Sequence, residues 1–154
     1  MSQQPNQPVF SIEKLFVKDL SVEVPNAPKI YLERDTPQVD IQMTTVANPI
    51  DEGYFEVVVS VTVTAKLAEK TVFLIEASQG GVFQIRNVPQ DELEPVLGIT
   101  CPNILYPYVR EVISDAVVRA GFAPVLLNPV NFEAIFQAQR EAKTQTQAGA
   151  GVTH

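Results

Sequence analysis

The sequence predicts an α+β domain: a four-stranded antiparallel sheet followed by helices packed on one of its faces. Three observations carry this. Residues 54–67, YFEVVVSVTVTAKL, set apolar and mostly β-branched residues at every second position, as a pleated and half-buried strand requires. From Tyr108 to Ala120 the apolar residues recur with the period of a helix. Every strand-like segment precedes both helix-like ones.

Taken in order, MSQQPNQP (1–8) is polar and proline-broken and is expected to be flexible. One domain is expected over 9–142. Its first strand, VFSIEKLFVKDLSVEV (9–24), alternates: Phe10, Ile12, Phe16, Leu20, Val22 and Val24 point one way, interrupted by Lys14 and Lys18. Glu13, Asp19, Ser21 and Glu23 point the other way, with Leu15 and Val17 among them. Pro25-Asn26-Ala27-Pro28 breaks the strand, and the loop is expected to run to Pro37. VDIQMTTV (39–46) is the second strand, with a turn at Asn48-Pro49 and Asp51-Glu52-Gly53. The third is 54–67, and Ala68-Glu69-Lys70 turns it into TVFLIEASQGGVFQI (71–85). Gly80-Gly81 within that last strand predicts a bulge or bend.

After Val88, PQDELEPVLG reads as a short helical turn with Pro89 at its start and acids in its first turn. CPNILYPYVRE (101–111) then reads as a stiff connection into a helix whose stripe is Tyr108, Val109, Val112, Ile113, Ala116, Val117 and Ala120, with Gly121 as its stop. A last helix is expected from Asn128-Pro129, bearing Phe132, Ile135 and Phe136 and ending after Ala142. KTQTQAGAGVTH (143–154) reads as a disordered tail.

Composition narrows the chemistry. Eleven Lys+Arg against 18 Asp+Glu give a net charge of −7, which argues against nucleic acid or an anionic membrane and favours a basic partner. One cysteine cannot form an internal disulfide, so a reducing compartment is expected. The N-terminus has no basic segment leading into an apolar one, and no apolar run approaches a membrane span. A cytoplasmic protein is the expectation. The only histidine is His154, the last residue, which removes catalytic arrangements needing a fixed imidazole and metal sites built on several His or Cys. Cys101 has no basic neighbour before Arg110 and reads as a structural thiol. Asp91, Glu92 and Glu94 lack the glycine and spacing of a calcium loop. Counting carboxylates leaves glycoside chemistry open. No cofactor is expected, and no catalytic activity.

Five blocks carry a resemblance: KDLSVEVPNAP (18–28), EVVVSVTVTAKL (56–67), FLIEASQGGVFQI (73–85), CPNILYPYVREVIS (101–114) and LNPVNFEAIF (127–136). In this order, over roughly residues 9–138, they resemble the SecB family of protein-export chaperones. The resemblance implies a cytoplasmic homotetramer, a dimer of dimers, that holds unfolded secretory preproteins and delivers them to the motor ATPase SecA.

It also implies roles for particular residues. The 101–111 stretch becomes the crossover loop beside the client groove, with Pro102, Ile104, Leu105, Tyr106 and Tyr108 as its wall. Read from the residues alone, Ile104, Leu105 and Tyr108 fit equally well as a cap on the core. Asp19 and Glu23 share one strand face, as do Leu74 and Glu76 on another strand. The resemblance assigns these four to a flat SecA-docking surface. Ile75, Ala77 and Gln79, on the opposite face, match positions that influence tetramer assembly. The family's often acidic C-terminal tail, an auxiliary contact with the motor, is poorly matched by EAKTQTQAGAGVTH.

Two other classes stay open on the residues: a domain holding one apolar ligand in a tyrosine-lined cavity, and, more weakly, a thiol enzyme built on Cys101.

Overall fold

The computed structural model describes residues 7–150. Four strands, β1 (Val9–Glu23), β2 (Gln38–Asp51), β3 (Tyr54–Leu67) and β4 (Lys70–Arg86), form one sheet in the order β1-β4-β3-β2. Every pairing is antiparallel. The β3–β4 hairpin, the segment richest in β-branched residues, fills the centre, and β1 and β2 are the edges.

Val57, Val59, Val61, Val63 and Ala65 of β3 are fully buried on one face, opposite Gly81, Gln79, Ala77, Ile75 and Phe73 of β4. Helix α2 (Cys101–Arg119) packs on this face across β3 and β4 through Leu105, Val109, Ile113, Ala116 and Val117. Burying side chains of this size contributes about 1.5–3 kcal/mol each, so this layer is the stabilising core.

The third strand ends where alternation predicts. Others differ for local reasons. β2 runs on through Asn48 and Pro49, because a proline without an N–H is tolerated on an edge strand. The turn falls instead at Glu52-Gly53, with Gly53 at φ +75°. The loop after β1 contains a short 3₁₀ turn, Lys29–Leu32, that buries Ile30.

Gly80 and Gly81 form no bulge; the β4 ladder runs straight through them. Their service is space. A Cβ on Gly80 would lie 2.5 Å from the Phe16 ring, and one on Gly81 would lie 2.7 Å from the Phe83 ring and 3.0 Å from Leu105. The bulges are in β1, between Ile12 and Lys14 and between Val17 and Asp19. Each flips the alternation, so Leu15 and Val17 join Phe10, Ile12, Leu20 and Val22 on the helix side, and Lys14 and Phe16 turn to the other face.

The 101–111 stretch is helical throughout, which replaces the expected connection. Helix α1 (Gln90–Pro95), a π segment (Val96–Thr100) and α2 join end to end, the residues at both junctions keeping right-handed helical angles. The wider π turn lies just ahead of Pro102, where the ring would otherwise meet the carbonyl of Gly98. Pro107 sits on the exposed side of α2.

Gly121 ends α2 as expected, at φ +96°. The Phe122 N–H donates to the Val117 carbonyl and the Gly121 N–H to that of Val118, a Schellman closure. The last helix, α3 (Phe132–Ala150), starts later than Asn128: Asn131 caps it, its side-chain oxygen accepting from the Ala134 N–H at 3.0 Å. It also continues past Ala142, where a tail was expected. Residues 1–6 and 151–154, the ends of the expected flexible segments, lie outside the described residues.

Gly81→Ala should destabilise the fold by about 1–3 kcal/mol, because the added Cβ would meet the Phe83 ring and Leu105, both fully buried. A lower urea midpoint at unchanged slope would record this. An unshifted midpoint would contradict the packing over residue 81.

Candidate functional site

The face of the sheet away from α2 is mainly polar. Register places Asp19 opposite Ser78, Ser21 opposite Glu76 and Glu23 opposite Leu74. The four residues expected at a docking surface, Asp19, Glu23, Leu74 and Glu76, therefore sit together on this face, spread over two neighbouring strands. Asp19, Glu23 and Glu76 are exposed, and Leu74 is half-buried among them. None of the three carboxylates forms an ion pair among the described residues. Further across, Thr62 and Thr64 of β3 stand opposite Glu76 and Leu74, and the Ser60 and Ser78 hydroxyls are 2.7 Å apart. The result is a shallow acidic patch around one apolar side chain.

The helix side differs because α2 covers only the two central strands. On the β1 margin Phe10, Ile12, Val17, Leu20 and Val22 are 43–48% exposed. On the β2 margin Val39 and Ile41 are similarly exposed. Beyond them a cleft of about 380 Å³ lies between β2 and the helices, lined in part by Thr45, Ala47, Leu97, Gly98, Ile135 and Phe136. Phe136 rests against Gly98, where a Cβ would come within 2.6 Å of its ring. The outer edge of β2 has no partner strand among the described residues.

The expected groove wall is divided. Pro102, Leu105 and Tyr106 are buried, Ile104 is half-buried, and only Tyr108 stands well exposed. None of the five lines the cleft beside β2. The helical backbone explains this: at three or four residues apart, Pro102, Leu105, Tyr106 and Val109 share the face that meets the sheet. The Tyr106 hydroxyl donates to the Asn128 carbonyl, its ring edges onto Phe132, and burial raises its pKa. Of the stretch first read as a wall, most is core.

Ile75, Ala77 and Gln79 are also buried beneath α2 rather than exposed. The β1 and β2 margins and the α3 residues of the cleft were not singled out from sequence as binding surface. The exposed alternation of β1 was visible there, but nothing in it told which strands the helix would leave bare.

Such surfaces belong to a protein that binds other polypeptides. A family model described as preprotein translocase subunit SecB matches residues 3–143. The chain is 60% identical to the protein-export protein SecB of Nitrosospira multiformis, over 100% of both chains. It is 61% identical to that of Thiobacillus denitrificans, over 96% of this chain and 97% of the relative. A solved SecB-like chaperone of Mycobacterium tuberculosis, in complex with a ChAD peptide from the HigA1 antitoxin, superposes with a TM-score of 0.64 at 20% identity, covering 79% of this chain and 90% of that one. The chain belongs to the SecB family.

Cys101 is fully buried, and burial pushes its thiol from an ordinary 9.0 up to about 12. The native thiol is therefore neutral at pH 8 and should resist iodoacetamide until the chain is unfolded. Its raised value also adds stability that is complete below about pH 9 and is lost as pH rises toward about 12. Cys101→Ser should leave polypeptide binding nearly intact. Rapid native alkylation, or loss of binding in that variant, would contradict a structural thiol.

Proposed function

We propose that this protein is a holdase of the export pathway. It binds unfolded secretory preproteins in the cytoplasm, keeps them translocation-competent and delivers them to SecA, without catalysis of its own. The observation that carries this reading is the uncovered apolar surface on both margins of the sheet. Contiguous apolar surface of this kind marks a site for another chain.

The β2 margin suits an extended client. Its free edge offers main-chain hydrogen-bonding groups, which bind any sequence, and the adjoining cleft takes apolar side chains. Exposed Tyr108 stays in the client surface, while buried Pro102, Leu105 and Tyr106 support the helix that frames it. Half-buried Ile104 lies between these roles.

The β1 margin suits a second copy. Its five exposed apolar residues lie in a row along an edge strand, and pairing there would cover them and lengthen the sheet. This supports assembly as a dimer of dimers, which offers several weak sites to one long client. Ile75, Ala77 and Gln79 influence that assembly through the seating of α2, since they are buried under it.

The polar face serves SecA. Asp19, Glu23 and Glu76 steer a basic segment of the motor by charge, and Leu74 gives it an apolar anchor.

Light scattering on a sizing column should give a tetramer that gains mass with freshly diluted unfolded preprotein and not with the folded form. A monomer indifferent to both would overturn the proposal. Asp19→Lys and Glu76→Lys should weaken SecA binding and spare client capture. Loss of client capture in either would contradict the division between the two faces.

A further inference from the structure

Lys18 is the residue that the second β1 bulge leaves without a partner on β4. A bulge re-aims the side chain it carries. Here the Lys18 ammonium reaches past β4 to β3 and meets both carboxylate oxygens of Glu56, at 2.9 and 3.0 Å. Glu56 stands on the polar face, opposite Val82 of β4 and Asn48 of β2. Its side chain is 18% exposed, against 50% for Lys18.

An exposed ion pair contributes little to folding, about 0–1 kcal/mol. Its location gives it another consequence. Lys18 adjoins Asp19 in the chain, and Asp19 lies opposite Ser78, two residues along β4 from Glu76. A free ammonium there would pair with Asp19 or Glu76 and neutralise part of the patch. Held by Glu56, it does not, and all three carboxylates remain unpaired among the described residues.

We infer that Glu56 is a positioning residue for the docking face: it tethers Lys18 away from Asp19 and Glu76, keeping the acidic patch open to a partner segment rich in Lys and Arg. This rests on the reading of the polar face as the SecA-docking surface.

Purified SecA is the probe, and its affinity is measured at low salt for the parent chain and for Glu56→Gln, Lys18→Gln and the double variant. Glu56→Gln should bind about threefold to fivefold more weakly, the most that one exposed pair can shift. High salt should erase the difference. The informative comparison is the double variant. With Lys18 absent, Glu56→Gln should cost nothing, because no ammonium remains to be tethered. An equal cost in both backgrounds would mean that Glu56 touches the partner directly, and would overturn the inference while leaving the docking surface intact.

Should Asp19→Lys leave SecA binding unchanged, the docking reading itself fails. The tether is then judged on a crystal structure of Glu56→Gln. Lys18 within about 4 Å of Asp19 or Glu76 supports it, and Lys18 turned to solvent overturns it. Thermal unfolding of each variant checks that the fold is retained.

Discussion

A helix is about 10–12 Å across with its side chains, and strands lie about 4.8 Å apart. One helix laid along a sheet therefore covers about two strands. This protein places α2 over β3 and β4 of a four-stranded sheet, and the rest of its surface follows from that mismatch. The central strands supply a core that is shielded almost completely, Val57, Val59 and Val63 having no exposure at all. The flanking strands carry the same apolar alternation and lie outside the cover of α2. They are an unfinished core, stable enough to persist and bare enough to bind. A second helix over either margin would raise the stability of the protomer and cover that bare surface.

The opposite face is organised by smaller constraints. The two bulges in β1 restore its alternation by the time the strand reaches Leu20, and between them they turn Phe16 outward onto Gly80. Glycine at 80 is needed because the Phe16 ring occupies the place of its Cβ. The same irregularity frees Lys18 from the ladder and lets it reach Glu56. Carboxylates concentrate on β1 and β4, and the neighbouring lysine is drawn off across the sheet. Charge on this face is thus a matter of backbone register as much as of composition.

The sheet was largely legible in the sequence, and β3 was legible to the residue because Val57, Val59, Val61, Val63 and Ala65 keep period two between two turns. Period two put Asp19 with Glu23 and Leu74 with Glu76, and the resemblance put the two pairs on one surface. The register sets all four on one face because Asp19 and Glu23 both lie beyond the bulges. Between the bulges period two failed: Lys14 and Phe16 were assigned to the wrong face along with Leu15 and Val17. No local signal marks bulges that turn a ring onto a glycine more than sixty residues away. The helical start also escaped notice. Pro102 and Pro107 read as loop residues, and what admits them is a π turn and an exposed position, neither encoded in a short motif. Because the stretch is helical, three of its five candidate groove residues face inward, and the uncovered apolar surface lies instead on the strand margins and α3.

The central claim is that clients use the margin of the sheet beyond α2. Hydrogen–deuterium exchange of the protein with and without an unfolded preprotein tests it directly. Added strand pairing should slow exchange along β2, from Gln38 to Asn48, and over α3 beside the cleft, leaving the carboxylate-bearing part of β1 unchanged. Slowed exchange around Asp19–Glu23 and Leu74–Ser78, with β2 unaffected, would contradict it and place clients on the polar face.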